Sequence, residues 1–113
     1  MAGRIVVMSA AEYRNWLAAV APRNTLAQAG ENLFRELGCS GCHSGSAAVH
    51  APTLEGLYGK MAPLSDGTFV LADDKYLRDS ILLPSSQIVA GYQPIMPTYE
   101  GHVTESELLE LIA

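Results

Sequence analysis

Two thiols and an imidazole stand within five residues of one another, in Cys39-Ser40-Gly41-Cys42-His43. Thiols one helical turn apart can each add to one of the two vinyl groups of a single porphyrin, and the residue that follows then sets an imidazole beneath the iron. The order C-x-x-C-H is therefore the attachment signature of a c-type haem: two covalent anchors and one axial ligand.

Other uses of a C-x-x-C pair compete with that reading. A structural zinc site takes four cysteine or histidine ligands at set spacings, but Cys39 and Cys42 are the only cysteines in the chain. Recruiting His43 and His50 gives a Cys2His2 spacing unlike the usual finger patterns. A thioredoxin-like dithiol needs a strand leading into the motif in an alternating β/α context, whereas the residues before Cys39 read as a helix. A Cys39 to Cys42 disulfide closes too small a loop to act as a staple.

An iron held by His43 on one face needs a ligand on the other. Methionine thioether is the choice that raises the potential of electron-transfer cytochromes. Met1 and Met8 precede the motif, and Met61 follows His43 closely enough that its loop is expected to stay on the proximal side. Met96 lies 53 residues beyond His43, in Pro94-Ile95-Met96-Pro97. Its flanking prolines pre-set an extended backbone and lower the entropy lost on ordering. The alternatives are Met96 as an apolar gap filler, with His50 or His102 as the sixth ligand.

Several elements must position these groups. Arg4-Ile5-Val6-Val7-Met8 is short and β-branched, a strand-like piece. Ser9-x-x-Glu12 is a capping box opening a helix whose Tyr13, Trp16, Leu17 and Val20 share one face and which Pro22 should end. A second box, Thr25-x-x-Gln28, starts a helix with Leu26, Ala29, Leu33 and Leu37 along one side, Phe34 beside them and Gly38 at its end. Gly30 sits inside that helix at a cost of about 1 kcal/mol relative to alanine, so close contact with another helix is expected there. The partner is the last helix, Thr104 to Ala113, opened by Thr104-x-x-Glu107; its apolar pattern is still running at Ala113, so it reads as truncated.

Between them, residues 51–60 read as an irregular loop with one short helical turn, and residues 65–71 as a turn followed by an extended apolar piece. Asp73 or Asp74 caps a helix carrying Tyr76, Leu77, Ser80, Ile81 and Leu83, closed by Pro84. A loop from Ser85 to Gly101 then carries Met96.

At 113 residues and 49% hydrophobic, the chain reads as one small domain with an appendage, near the size where a core gains from a prosthetic group. No apolar run reaches the roughly 18 residues of a membrane span. Met1 to Met8 does not read as a signal peptide. Covalent haem attachment in bacteria takes place outside the cytoplasmic membrane, so the sequence is expected to be a fragment or a recombinant piece. Residues 1–38 carry a net charge of +1, from four arginines against three glutamates, and residues 39–113 a net of −6, from three cations against nine carboxylates. That balance disfavours nucleic acid and anionic lipid and suits a partner with a basic patch; it serves equally as a solvated acidic surface.

Over residues 25–113 the chain resembles the class I cytochromes c. The pattern there is a helix with glycine and an aromatic, C-x-x-C-H, then G-P-x-L-x-G-L-x-G-[RK], a helix, a P-x-M-P-like loop and a terminal helix. Gly30, Phe34, Cys39, Cys42, His43, Pro52, Leu54, Gly56, Gly59, Lys60 and Met96 stand in those places. Ala51 replaces the usual glycine, and the stretch from His43 to Pro52 is shorter than in mitochondrial-type members. The resemblance implies an all-α fold of short helices and loops around one covalent haem c, with a strand-helix extension at the N-terminus. It also implies that the Pro52 carbonyl accepts the second imidazole proton of His43, that Lys60 lies near a propionate, and that Tyr58 belongs to the haem surround.

Residues 1–24 resemble the end of the copper domain of subunit II of haem-copper oxidases, plus a linker. There H-x-x-M-x-G-x-V-x-V precedes a helix with E-Y-x-x-W, matching Met1-Ala2-Gly3-Arg4-Ile5-Val6-Val7-Met8 followed by Glu12-Tyr13 and Trp16. The other ligands of that copper site are missing from this chain. The joint resemblance implies a caa3-type oxidase, whose subunit II carries a fused cytochrome c domain. The expected function is one-electron transfer from a soluble donor, a small cytochrome c or an iron-sulfur protein, to the dinuclear copper of the same subunit. With both axial positions filled by His43 and Met96, the isolated domain is expected not to be an enzyme. The expected location is the periplasm or the outer face of the cytoplasmic membrane, tethered through the parent subunit. The rivals are a free-standing periplasmic monohaem cytochrome and a haem-based ligand sensor.

Overall fold

The computed structural model describes residues 2–20 and 25–113. Helix α1 (Ala10–Val20) starts at the expected capping box: Ser9 N donates to Glu12 Oε2 at 2.7 Å and Glu12 N to Ser9 Oγ at 3.2 Å. Its apolar face stays open, with Tyr13 50%, Trp16 48% and Leu17 42% exposed. Arg4 to Met8, expected to be strand-like, form no strand, and Ile5 and Val7 are exposed. A β-branched run makes a strand only when a second strand takes its hydrogen bonds, and none adjoins it among the described residues. Pro22, expected to end α1, lies outside the described residues.

Helix α2 (Leu26–Glu36) carries the Thr25 and Gln28 capping box, and Gly38 turns the chain out of it at φ +81°. That turn leads at once into α3 (Ser40–His43). Residues 51–60 make turns, Leu57 N to Leu54 O and Lys60 N to Leu57 O both at 3.1 Å, in place of the expected helical turn. Strand β1 (Met61–Pro63) pairs antiparallel with β2 (Phe69–Leu71), Ala62 opposite Val70. The extended piece at residues 69–71 was legible. Its partner was not, because three residues ending in proline carry no alternating pattern.

Helix α4 (Asp74–Leu82) is capped by Asp73, whose side chain accepts from Tyr76 N, and α5 (Glu105–Ile112) by the Thr104 and Glu107 box. Helices α2 and α5 pack together at buried Gly30. The Arg78 guanidinium takes both oxygens of Glu105, one at 2.8 Å, tying α4 to α5. This hydrogen bond holds the Glu105 carboxyl below its usual value. A depressed carboxylate contributes stability above the unfolded value, about 4.3, and loses it as pH falls through the lowered one. The pair is exposed, so its contribution is small. Thermal unfolding of Glu105→Gln should lie slightly below wild type at neutral pH, and the gap should close in acid.

The packed core is thin for the chain's length. Among the described residues the buried apolar side chains are Ala62, Leu64, Ala72, Tyr76 and Leu108. The inner faces of α2, α4 and the Met96 loop instead line a cavity of about 430 Å³, within the range of roughly 300–1,000 Å³ typical of ligand pockets.

Candidate functional site

Helix α3 exists because Gly38 breaks α2 and lets the chain restart: His43 N donates to Cys39 O at 3.0 Å, closing a single turn. That turn sets Cys39 and His43 on the wall of the cavity. Cys42 lines a smaller cleft of about 120 Å³ that shares Cys39, His43 and Met96 with it. Both thiols are free and half-buried. Burial pushes the Cys39 thiol up from its ordinary value, the reverse of the lowered thiol that makes a C-x-x-C pair a redox dithiol. Among the described residues no group of three or more histidine, cysteine, aspartate or glutamate side chains is gathered to hold a metal ion, so the Cys2His2 arrangement with His50 is not formed.

The imidazole of His43 is fixed by a residue that shares the cavity wall with it. Its Nδ1 lies 2.9 Å from the carbonyl oxygen of Pro52. A carbonyl can only accept, so Nδ1 carries the proton and Nε2 keeps its lone pair. The Phe34 ring lies against the imidazole, 6.5 Å between centroids.

Met96 lines both the cavity and the smaller cleft. Its loop is anchored just downstream, where Thr98 Oγ1 donates to Leu82 O at 2.6 Å and Tyr99 N to Ile81 O at 3.1 Å. Tyr99 reaches further, its hydroxyl donating to Leu37 O at 2.9 Å. Sequence reading missed Thr98 and Tyr99, since nothing in their spacing announces a partner far away in the chain.

Of the other residues singled out in the sequence, Lys60 and Met61 line the larger cavity, Met61 with 58% of its surface exposed. Tyr58 does not. It is 62% exposed and its hydroxyl donates to Asp74 Oδ1 at 2.8 Å. His50 stacks on Tyr92 at 4.5 Å and lines only the smaller cleft; His102 lines neither.

Two thiols, an imidazole with an oriented lone pair and a thioether, gathered around the large, mostly apolar cavity and the smaller cleft that shares its wall, fit a covalently bound haem. This fold and donor set define a haem c electron carrier. The cytochrome c family profile matches residues 27–113, and the chain belongs to that family. The domain binds covalent haem c and acts as an electron carrier. Cytochrome c domains are generally extracytoplasmic. Among the described residues no helix is long and apolar enough to cross a membrane. No curated protein matches the chain.

Proposed function

We propose that Cys39 and Cys42 anchor the haem, that His43 and Met96 ligate its iron, and that the domain is the electron-entry module of subunit II of a haem-copper oxidase. The observation that carries the ligand set is the 2.9 Å bond from His43 Nδ1 to Pro52 O. It holds the ring in one tautomer and leaves Nε2 as the ligating atom. Bound haem supplies a one-electron ferric/ferrous couple. The chain's part is to fix its surroundings: His43 and Met96 leave no coordination position for a substrate, the apolar walls exclude water, and Lys60 offers a cation near a propionate, less directional than an arginine.

The stretches that carry the attachment turn and the Met96 loop are free of formal charge, and Glu55 and Lys60 are the charged residues on the cavity wall. Residues 39–54 and 80–99 contain no aspartate, glutamate, lysine or arginine, and Val49 and Ile95 on the smaller cleft are exposed. A soluble donor, a small cytochrome c or an iron-sulfur protein, docks there by apolar contact. The open face of Tyr13, Trp16 and Leu17 supports a second domain covering α1. In this proposal that domain is the copper domain of the same subunit, which takes the electron onward at the outer face of the membrane.

Two measurements test this. Intact mass with a pyridine haemochrome spectrum should report one covalent haem per chain in wild type and in neither Cys39→Ala/Cys42→Ala nor material made without haem. Stopped-flow mixing of the reduced domain with an oxidised dinuclear copper domain should show rapid, concentration-dependent oxidation. Failure of that transfer, with the haem in place, would favour a free-standing carrier.

A further inference from the structure

The wall of the larger cavity is mostly apolar, and one polar side chain in it makes a bond that spans the fold. Tyr99 lies three residues beyond Met96, half-buried, and its hydroxyl donates to Leu37 O, 62 residues away in sequence. Leu37 is the C-cap of α2, two residues before Cys39, and its carbonyl belongs to the last turn, which lacks intrahelical donors. Tyr99 and Cys39 line the same cavity wall. The backbone N–H of the same residue donates to Ile81 O, in the last turn of α4. One residue therefore joins the Met96 loop to the ends of two helices, one of which leads straight into the haem-attachment turn.

We propose that Tyr99 is a positioning residue for Met96: its hydroxyl clasps the ligand loop to the α2 terminus and sets how often the loop swings away from the iron. This rests on the reading of Met96 as the sixth ligand. Phenylalanine at this position would keep the ring's packing and lose only the bond to Leu37 O. An added ligand such as imidazole binds ferric iron only when the loop is open, so its apparent affinity scales with the open fraction. Losing one neutral, half-buried hydrogen bond should raise that fraction about fivefold.

The test is imidazole titration of the ferric holoprotein, followed by loss of the far-red sulfur-to-iron absorption band, in wild type, Tyr99→Phe and a variant with 3-fluorotyrosine at position 99. Tyr99→Phe should bind imidazole about fivefold more tightly, and the 3-fluorotyrosine protein, which keeps a donor, should match wild type. Unchanged imidazole affinity in Tyr99→Phe, even with a lowered unfolding midpoint, would reduce Tyr99 to a general structural role and overturn the proposal. So would a 3-fluorotyrosine protein as loose as the phenylalanine variant. A wild-type holoprotein with no far-red band at all would instead overturn Met96 as ligand, and the clasp with it.

Discussion

Met96→Ala should yield a protein that keeps its haem and loses its redox poise. Attachment depends on Cys39 and Cys42, which the substitution does not touch, so covalent stoichiometry should remain one. The far-red sulfur-to-iron band should disappear, and the ferric form should bind water or added ligands directly. The reduction potential should fall by an amount on the order of 100 mV, a modest part of the roughly 0.8 V range that axial ligation spans. The reason is that a neutral thioether favours the ferrous ion, while the oxygen donor that replaces it favours the ferric one. Met61→Ala is the matched control. Met61 lines the same cavity but is largely exposed on β1, and its removal should leave the spectrum and the potential in place. If Met61→Ala abolished the band and Met96→Ala did not, the ligand assignment would pass from the loop to the strand.

Local chemistry made much of this legible in advance. Capping boxes at Ser9, Thr25 and Thr104 need only residues three apart, and all three formed. The thiols and His43 fall within five consecutive residues, and their turn follows from Gly38. What escaped depends on distant partners. The strand expected at Arg4 to Met8 had the composition of a strand and, among the described residues, no neighbour to pair with. Conversely, Met61 to Pro63 lacked the composition and became β1 because Phe69 to Leu71 fold back on it. The bond from the Tyr58 hydroxyl to Asp74 at the start of α4 likewise joins residues that no local pattern links. Tyr99 is a further case, a residue without a motif that the tertiary fold brings to Leu37.

Gly30 shows the same division between what a local rule says and what packing decides. By helix propensity alone, Gly30→Ala should stabilise α2 by about 1 kcal/mol. Packing reverses the sign. A Cβ at this position would lie 1.9 Å from the carbonyl oxygen of Glu110 and 2.6 Å from its carbon, far inside the roughly 3.5–4.0 Å of an ordinary contact. The atoms it meets are backbone, so no rotamer change relieves the overlap and α5 must move bodily. Overpacking of this kind costs about 1–3 kcal/mol and more where relaxation is blocked. The net loss should be about 2 kcal/mol or more, which for a domain of this size lowers Tm by about 10 °C. Because α2 carries Phe34 and Leu37 and α5 carries Leu111 into the cavity wall, the displaced helices should also loosen the site, and imidazole should bind the ferric protein more tightly. Gly41→Ala is the contrasting case: in α3, with open space around its would-be Cβ, it should be neutral or stabilising. Equal Tm values for Gly30→Ala and wild type would mean that α2 and α5 do not meet at this glycine in solution.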